Sequence, residues 1–133
     1  MTAIETRGLT KRFAGGRFGR SEPVVAVDDL DLTVEEGTVF GFLGPNGAGK
    51  STTINLLLDF IRPTAGTATV FGHDVHDERA AVRERIGVVP EDYGLYDRLS
   101  GRRHLELAID LKHADDDPDA LLDRVGLSPA DAA

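Results

Sequence analysis

A glycine-rich segment in the middle of this 133-residue chain constrains its fold more than any other feature. It spans residues 44–52 and matches the pattern G-x-x-x-x-G-K-[ST]. Glycines allow positive φ angles and let successive backbone N–H groups point at one anion. In this pattern Lys50 would reach the β- and γ-phosphates of a nucleotide, Ser51 would offer its hydroxyl to Mg²⁺, and Thr52 would add a contact near the α-phosphate. The residues expected to contact phosphate are Gly44, Pro45, Asn46, Gly47, Ala48, Gly49, Lys50, Ser51 and Thr52.

The segments on either side of this loop fit a strand–loop–helix unit. Residues 38–43 (TVFGFL) form a nearly continuous apolar run, which predicts a strand buried on both faces. Residues 54–61 (INLLLDFI) predict a helix that ends before Pro63, because proline cannot continue a helix. The sequence therefore predicts a P-loop at a helix N-terminus, where the helix dipole favours an anion.

The rest of the chain predicts short strands and helices, and hence an α/β fold. Residues 24–34 alternate apolar and acidic side chains, which is typical of a half-exposed strand. Gly126 has the position of a residue that ends a helix. The other predicted strands are residues 4–10, 67–71 and 86–89, and the other predicted helices are residues 77–85, 102–112 and 119–125.

Composition limits the partners and the location of the chain. The net charge is −8, from 23 acidic and 15 basic residues, so no nucleic-acid partner is expected. Only three basic residues are lysines, and this acidic, lysine-poor composition resembles proteins from a high-salt cytoplasm. No apolar stretch approaches the ~20 residues of a membrane span, and residues 1–5 do not resemble a secretory signal. A cytoplasmic location, or one on the cytoplasmic face of a membrane, is expected.

Three motifs together resemble the ATP-binding subunit of an ABC transporter. They are the loop at 44–52 with asparagine in its third position, the RPTAG segment at 62–66, and IGVVPE at 86–91, which is similar to the strand that enters the family's Q-loop. The EDYGLY segment at 91–96 further resembles the branch that serves ABC-2-type exporters of drugs, lipids or polysaccharides. The similarity extends from about residue 4 to residue 127.

The resemblance implies a fold and a function. The fold would be a P-loop NTPase core with a small N-terminal antiparallel β-subdomain, and residues 1–133 would form the N-terminal part of a single ATP-binding domain, ending before the signature and Walker B elements. The function would be to couple ATP and Mg²⁺ binding and ATP hydrolysis to export. The implied partners are a membrane-spanning permease subunit, docking near residues 91–103, and a second ATP-binding subunit. The implied location is cytoplasmic, peripheral on the inner face of the cell membrane.

Two further site residues follow from the resemblance. Phe13 lies where the family has an aromatic residue that stacks on adenine, an interaction of about 1 kcal/mol. Phe18 is a second candidate for that role, and either ring has local packing as its alternative. Glu91 lies at the Q-loop position, where the family most often has glutamine. Its carboxylate would coordinate Mg²⁺ or hold the attacking water, which makes Lys50 and Glu91 the catalytic candidates and Ser51 and Glu91 the metal ligands. The alternative for Glu91 is a solvent-facing loop residue.

Three segments imitate other motifs. Residues 99–103 (LSGRR) begin like a signature but lack its second glycine and its glutamine, and Ser100 is instead expected to cap a helix. Residues 107–110 (LAID) imitate the end of a Walker B strand, but their periodicity is helical. Residues 123–126 match D-x-x-G of GTPases without the matching N-K-x-D. The four histidines have no metal-binding spacing, and local roles are expected for them.

The sequence of residues 1–133 contains neither an L-S-G-G-Q signature nor an apolar strand that ends in Asp-Glu. We therefore expect these residues by themselves to bind Mg-ATP weakly and not to hydrolyse it appreciably. We also expect the predicted strand at 38–43 to leave an apolar sheet edge open. The competing interpretations are a nucleotide-binding module that does not hydrolyse, a non-transport ABC protein, and another P-loop kinase or GTPase.

Overall fold

The computed structural model describes residues 1–15, 22–92 and 94–128. They belong to two compact units, Met1–Gly87 and Val88–Ala133. The first unit is built on a four-stranded antiparallel sheet with the strand order β2-β1-β3-β4. This sheet confirms the strands predicted at 4–10, 24–34 and 67–71. Its strands are β1 (Thr2–Phe13), β2 (Val24–Glu35), β3 (Ala65–Val70) and β4 (His73–Asp74).

The long pairing of β1 with β2 is interrupted by β-bulges. Lys11 pairs with Val27 whereas the next residue, Arg12, pairs with Val25, so Ala26 is an extra residue on β2. A bulge of this kind leaves one residue outside the regular ladder and turns its backbone groups in a new direction. The carbonyl of Ala26 lies close to Gly49 of the glycine-rich loop.

Two helices of the first unit contribute to its core. Helix α1 (Lys50–Leu57) brings Leu56, and helix α2 (Arg79–Arg85) brings Val82; both side chains are buried. The helices predicted at 54–61 and 77–85 are therefore present, with α1 starting and ending about one turn earlier than expected. The buried core cluster consists of Leu9, Val27, Leu56, Ala68, Val70, Val75 and Val82.

The second unit contains the two remaining predicted helices, α3 (Gly101–Lys112) and α4 (Pro118–Arg124). Ser100 caps α3 by accepting a hydrogen bond from the backbone N–H of Arg103, which confirms its predicted role. His104 has a local role as well, because its Nε2 accepts from the N–H of Tyr96 (2.9 Å) while its Nδ1 lies 2.9 Å from the carbonyl of Ser100.

Two predictions of strands are wrong. Residues 38–43 and 86–89 are not strands in the structure. Val39 is fully exposed and Leu43 is 95% exposed, and Val89 is equally uncovered. A strand is buried on both faces only when other strands flank it and helices cover it, whereas the sheet of the described residues is antiparallel and consists of β1 to β4. The apolar run at 38–43 is thus exposed, but it forms no strand, so the expected open sheet edge at this segment is wrong as well.

None of the helices in the described ranges combines the length and the apolar character needed to cross a bilayer.

Candidate nucleotide-binding site

The glycine-rich loop leads directly into α1. The backbone N–H of Ala48 donates to the carbonyl of Pro45 (3.1 Å), which forms a turn at the tip of the loop. Gly49 is the N-cap of α1, with φ 93° and ψ 10°, in the left-handed region. Since a helix leaves its first N–H groups without partners in the helix, the first turn of α1 presents donors toward the loop. This geometry agrees with the predicted P-loop.

Gly49 also fixes the loop to the sheet. A Cβ atom at this position would lie 2.1 Å from the carbonyl oxygen of Ala26, a distance that real Cβ contacts do not reach. The bulge on β2 turns this carbonyl toward the loop, so the backbone of the strand closely approaches the start of α1. Glycine is required at position 49 both for its φ angle and for this close approach.

The side chain of Lys50 folds over the loop. Its Nζ donates to the carbonyl of Pro45 at 2.9 Å and also to the carbonyl of Gly44. The ammonium is therefore held within the loop, next to the N-terminus of α1. No acidic side chain lies in the first turn of this helix, whose residues are all within the described ranges. The local electrostatics favour an anion at this point.

The three hydroxyl residues after Lys50 differ in exposure. Ser51 is exposed and Thr52 is half-buried, so both hydroxyls are accessible at the helix N-terminus. Thr53 is only 3% exposed, and its Oγ1 donates to the carbonyl of Gly49 at 2.8 Å. Sequence reasoning did not single out Thr53, although a threonine four residues after a loop glycine can form this i−4 bond. Its hydroxyl is used within the helix start, and the side chain is buried.

Phe13 belongs to the same unit as the loop. It is the last residue of β1, is 41% exposed, and pairs with Val24. Val24 lies two residues before Ala26 on β2, which is about 7 Å along a strand. The ring of Phe13 therefore stands near the part of β2 that touches the glycine-rich loop. Phe18, the other candidate, lies outside the described residues.

A lysine that the sequence prediction did not assign contacts the ring of Phe13. The Nζ of Lys11 lies 5.2 Å from the ring centroid and donates to the carbonyl of Arg62 at 2.6 Å. Alternation along a strand places residues 11 and 13 on one face, and this spacing is the signal that could have revealed the pair.

Glu91 belongs to the second unit, where it is exposed in a turn. Its proposed contact with Mg²⁺ thus stays a prediction. The solvent-facing alternative is compatible with its exposure.

Similarity to known proteins agrees with this geometry. Residues 27–133 match the family model described as ABC transporter. The chain is 50% identical over 103 residues to the daunorubicin/doxorubicin resistance ATP-binding protein DrrA of Streptomyces peucetius, covering 77% of this chain and 29% of that protein. It is 38% identical over 104 residues to the bacitracin transport ATP-binding protein BcrA of Bacillus licheniformis, covering 78% and 31%. The chain thus spans about a third of the length of these relatives.

The fold has a solved counterpart. The dimeric post-hydrolysis structure of the ATP-binding cassette MJ0796, bound to ADP and Pi, superimposes with a TM-score of 0.80 at 23% identity, covering 97% of this chain and 60% of that one. This likeness confirms the predicted fold class, a P-loop NTPase core with an N-terminal antiparallel sheet. From the loop geometry, the family match and the fold together, it follows that the chain belongs to the ABC transporter family, as an ATP-binding domain with exporter-type relatives.

Proposed function

We propose that these residues form the nucleotide-binding part of an ATPase subunit that drives export through a membrane-spanning permease. The observation that carries the proposal is the position of Lys50, whose ammonium is held between loop carbonyls at the N-terminus of α1. Exporter-type relatives with resistance and transport functions in their names support the export role.

Phosphate binding would exchange one set of partners of Lys50 for another. Neutral carbonyls now accept from its ammonium, and a phosphate oxygen would be a stronger, charge-assisted acceptor. The N–H groups of the first turn of α1 would donate to the same phosphates. Within the described structure no acidic side chain lies in this turn, so no like charge from the turn itself opposes the ligand.

The exposed hydroxyl of Ser51 fits a magnesium ion bound with the phosphates. Mg²⁺ prefers hard oxygen ligands and binds through few protein groups together with phosphate oxygens and water. When bound, the ion would neutralise charge on the phosphates. Glu91 is the second proposed ligand, and it would also orient the attacking water. Lys50 and Glu91 remain the proposed catalytic pair.

The permease is proposed to dock on the second unit, near residues 91–103. An open apolar groove of about 440 Å³ lies in this unit, and its lining includes Leu95, Leu99, Leu105 and Leu122. Apolar side chains that line an open groove suit the apolar face of an amphipathic helix. A second ATP-binding subunit is the other proposed partner, and a peripheral position on the inner face of the cell membrane follows from the permease contact.

Loss of the Lys50 ammonium tests nucleotide binding. We expect Lys50→Ala to weaken ATP binding by about 10- to 100-fold, because a hydrogen bond to a charged group contributes about 1.5–3 kcal/mol. Lys112→Ala removes the same charge from the second unit and should leave the affinity unchanged. Titration calorimetry with Mg-ATP measures both. Equal affinities of the Lys50 variant and the wild type would contradict the proposal.

A charge in the apolar groove tests permease docking. We expect Leu95→Asp to abolish co-purification with the permease while ATP binding stays intact, because the carboxylate would have to be buried against an apolar helix. Leu111→Asp introduces the same charge at an exposed position of α3 outside the groove and serves as the control. Retention of the permease by the Leu95 variant would exclude this docking surface.

For a polypeptide limited to residues 1–133, we propose binding without appreciable turnover. The sequence contains the P-loop but neither an L-S-G-G-Q signature nor an Asp-Glu strand end. Phosphoryl transfer needs a group that orients water in addition to bound phosphates and metal. Turnover by this polypeptide that Lys50→Ala abolishes would overturn this proposal.

A further inference from the structure

Lys11 joins two parts of the first unit. Its Nζ donates to the carbonyl of Arg62 at 2.6 Å and lies 5.2 Å from the centroid of the Phe13 ring. The distance to the ring is within the ≈6 Å range of a cation–π contact. Among the described residues, no carboxylate forms a salt bridge with Lys11. The ammonium of Lys11 therefore interacts with the Phe13 ring and with the carbonyl of Arg62.

The carbonyl partner lies in the segment that follows the P-loop helix. Arg62 precedes Pro63, and this segment runs beside the end of β1: the N–H of Thr64 donates to the carbonyl of Thr10 (2.8 Å), and the N–H of Arg12 donates to Oγ1 of Thr64 (2.9 Å). The backbone on both sides of Lys11 is thus fixed. The bond from Nζ to the carbonyl of Arg62 then holds the ammonium beside the ring.

We infer that Lys11 is a positioning residue for the adenine base. Its ammonium lies over one face of the Phe13 ring, and the base would stack on the opposite face. Its bond to Arg62 links this contact to the segment after α1. The inference rests on the proposed function, namely on ATP binding with adenine stacked on Phe13.

The chemistry of the ring favours this arrangement. The face of an aromatic ring is electron-rich, and a cation on one face fixes the ring by attraction to its quadrupole. A ring that is already held loses little freedom when a base stacks on it, so more of the stacking energy contributes to affinity. Lys11 would thus act on the adenine part of the ligand and not on its phosphates.

The experiment compares ATP with inorganic tripolyphosphate, which has phosphates but no base. We expect Lys11→Met to weaken ATP binding about three-fold, in line with a cation–π contact at an exposed site, and to leave tripolyphosphate binding unchanged. Lys112→Met removes the same charge from the second unit and should change neither affinity. Lys11→Arg keeps a cation and should restore ATP binding.

Two more variants separate positioning from a merely structural role. Lys11→Gln keeps a donor for the carbonyl of Arg62 but has no charge, so it should show the same loss for ATP even if Lys11→Met perturbs the strand. In a Phe13→Ala background, Lys11→Met should cause no further loss, because the two side chains act as a unit.

The outcomes distinguish this inference from the proposed function. Equal weakening of ATP and tripolyphosphate by Lys11→Met, or additive losses in the double variant, would overturn the role of Lys11 alone. The role of Lys11 would also be overturned if Lys11→Met and Lys11→Gln bind ATP as tightly as the wild type while Phe13→Ala binds ATP more weakly. Absence of ATP binding by the wild type would overturn the proposed function and this inference with it.

Discussion

At the scale of single residues, Gly49 is the position where the glycine-rich loop approaches the backbone of the sheet closely enough to require glycine. Its φ of 93° is one demand for glycine, and the carbonyl oxygen of Ala26, only 2.1 Å from where a Cβ would lie, is a second and independent one. Gly47 has a similar φ of 87°, but a Cβ there would meet nothing within 4 Å. The two glycines therefore form a matched pair for separating backbone strain from close contact.

We expect Gly49→Ala to destabilise the first unit more than Gly47→Ala. Both variants would place a Cβ at a left-handed φ, which costs about 1–2 kcal/mol. Only the Gly49 variant must also displace the carbonyl of Ala26, so its free energy of unfolding should fall by a further amount of about 1–3 kcal/mol. Urea unfolding measures the difference, and equal losses would show that the contact with Ala26 is not required.

The loop could be predicted residue by residue because each requirement is local. A glycine that needs positive φ, a lysine that follows it and a hydroxyl in the first helical turn are all contained in a few positions. The contact of Lys11 with Phe13 could not be predicted in the same way. It depends on where a long side chain points and on the carbonyl of Arg62, which is distant in sequence.

At the scale of elements, three charged residues in the first half of α3 form a network that reaches α4. Glu106 accepts from Arg103 (2.7 Å) and Arg102 (3.0 Å), and Arg102 also contacts Asp119 at the start of α4. The hydrogen bonds from Arg103 and Arg102 lower the pKa of Glu106 from its ordinary 4.5, and the acidic partners of Arg102 raise the pKa of its guanidinium. The charged form of Glu106 is thus favoured in the folded state.

This shift predicts how the second unit responds to acid. Because the folded pKa of Glu106 lies below its unfolded value, its contribution to stability is present above pH 4.5 and is lost as the pH falls through the folded pKa. We expect Glu106→Gln to have a smaller loss of helicity on acidification than the wild type. Glu84→Gln, which removes a carboxylate from α2, is the control. Circular dichroism across this range measures both, and identical acid transitions would contradict the assignment.

The elements also differ in how well their sequence patterns predicted them. Helix α3 was predictable because its period and its cap at Ser100 are contained in the segment itself. The predictions at 38–43 and 86–89 failed because an apolar run indicates a buried strand only if neighbours cover it. Which elements cover a segment depends on the tertiary fold, and the sequence of the segment alone does not indicate this.

At the scale of the whole molecule, the net charge of −8 is the dominant property. Like charges repel within the folded chain, and salt screens this repulsion. We expect the midpoint of thermal unfolding to rise as KCl is raised toward molar concentration. A midpoint that does not depend on salt would contradict the similarity to proteins from a high-salt cytoplasm.

The contact of Gly49 with the bulge at Ala26 has a consequence for the shape of the ligand. The loop is fixed to β2 through backbone atoms, and β2 is paired with the strand that ends in Phe13. The separation between the loop and the backbone of Phe13 is therefore set by strand geometry, and the contact with Lys11 then holds the ring. The site would select ligands by length: a nucleotide whose base and phosphates lie too close together, or too far apart, could not engage both ends at once.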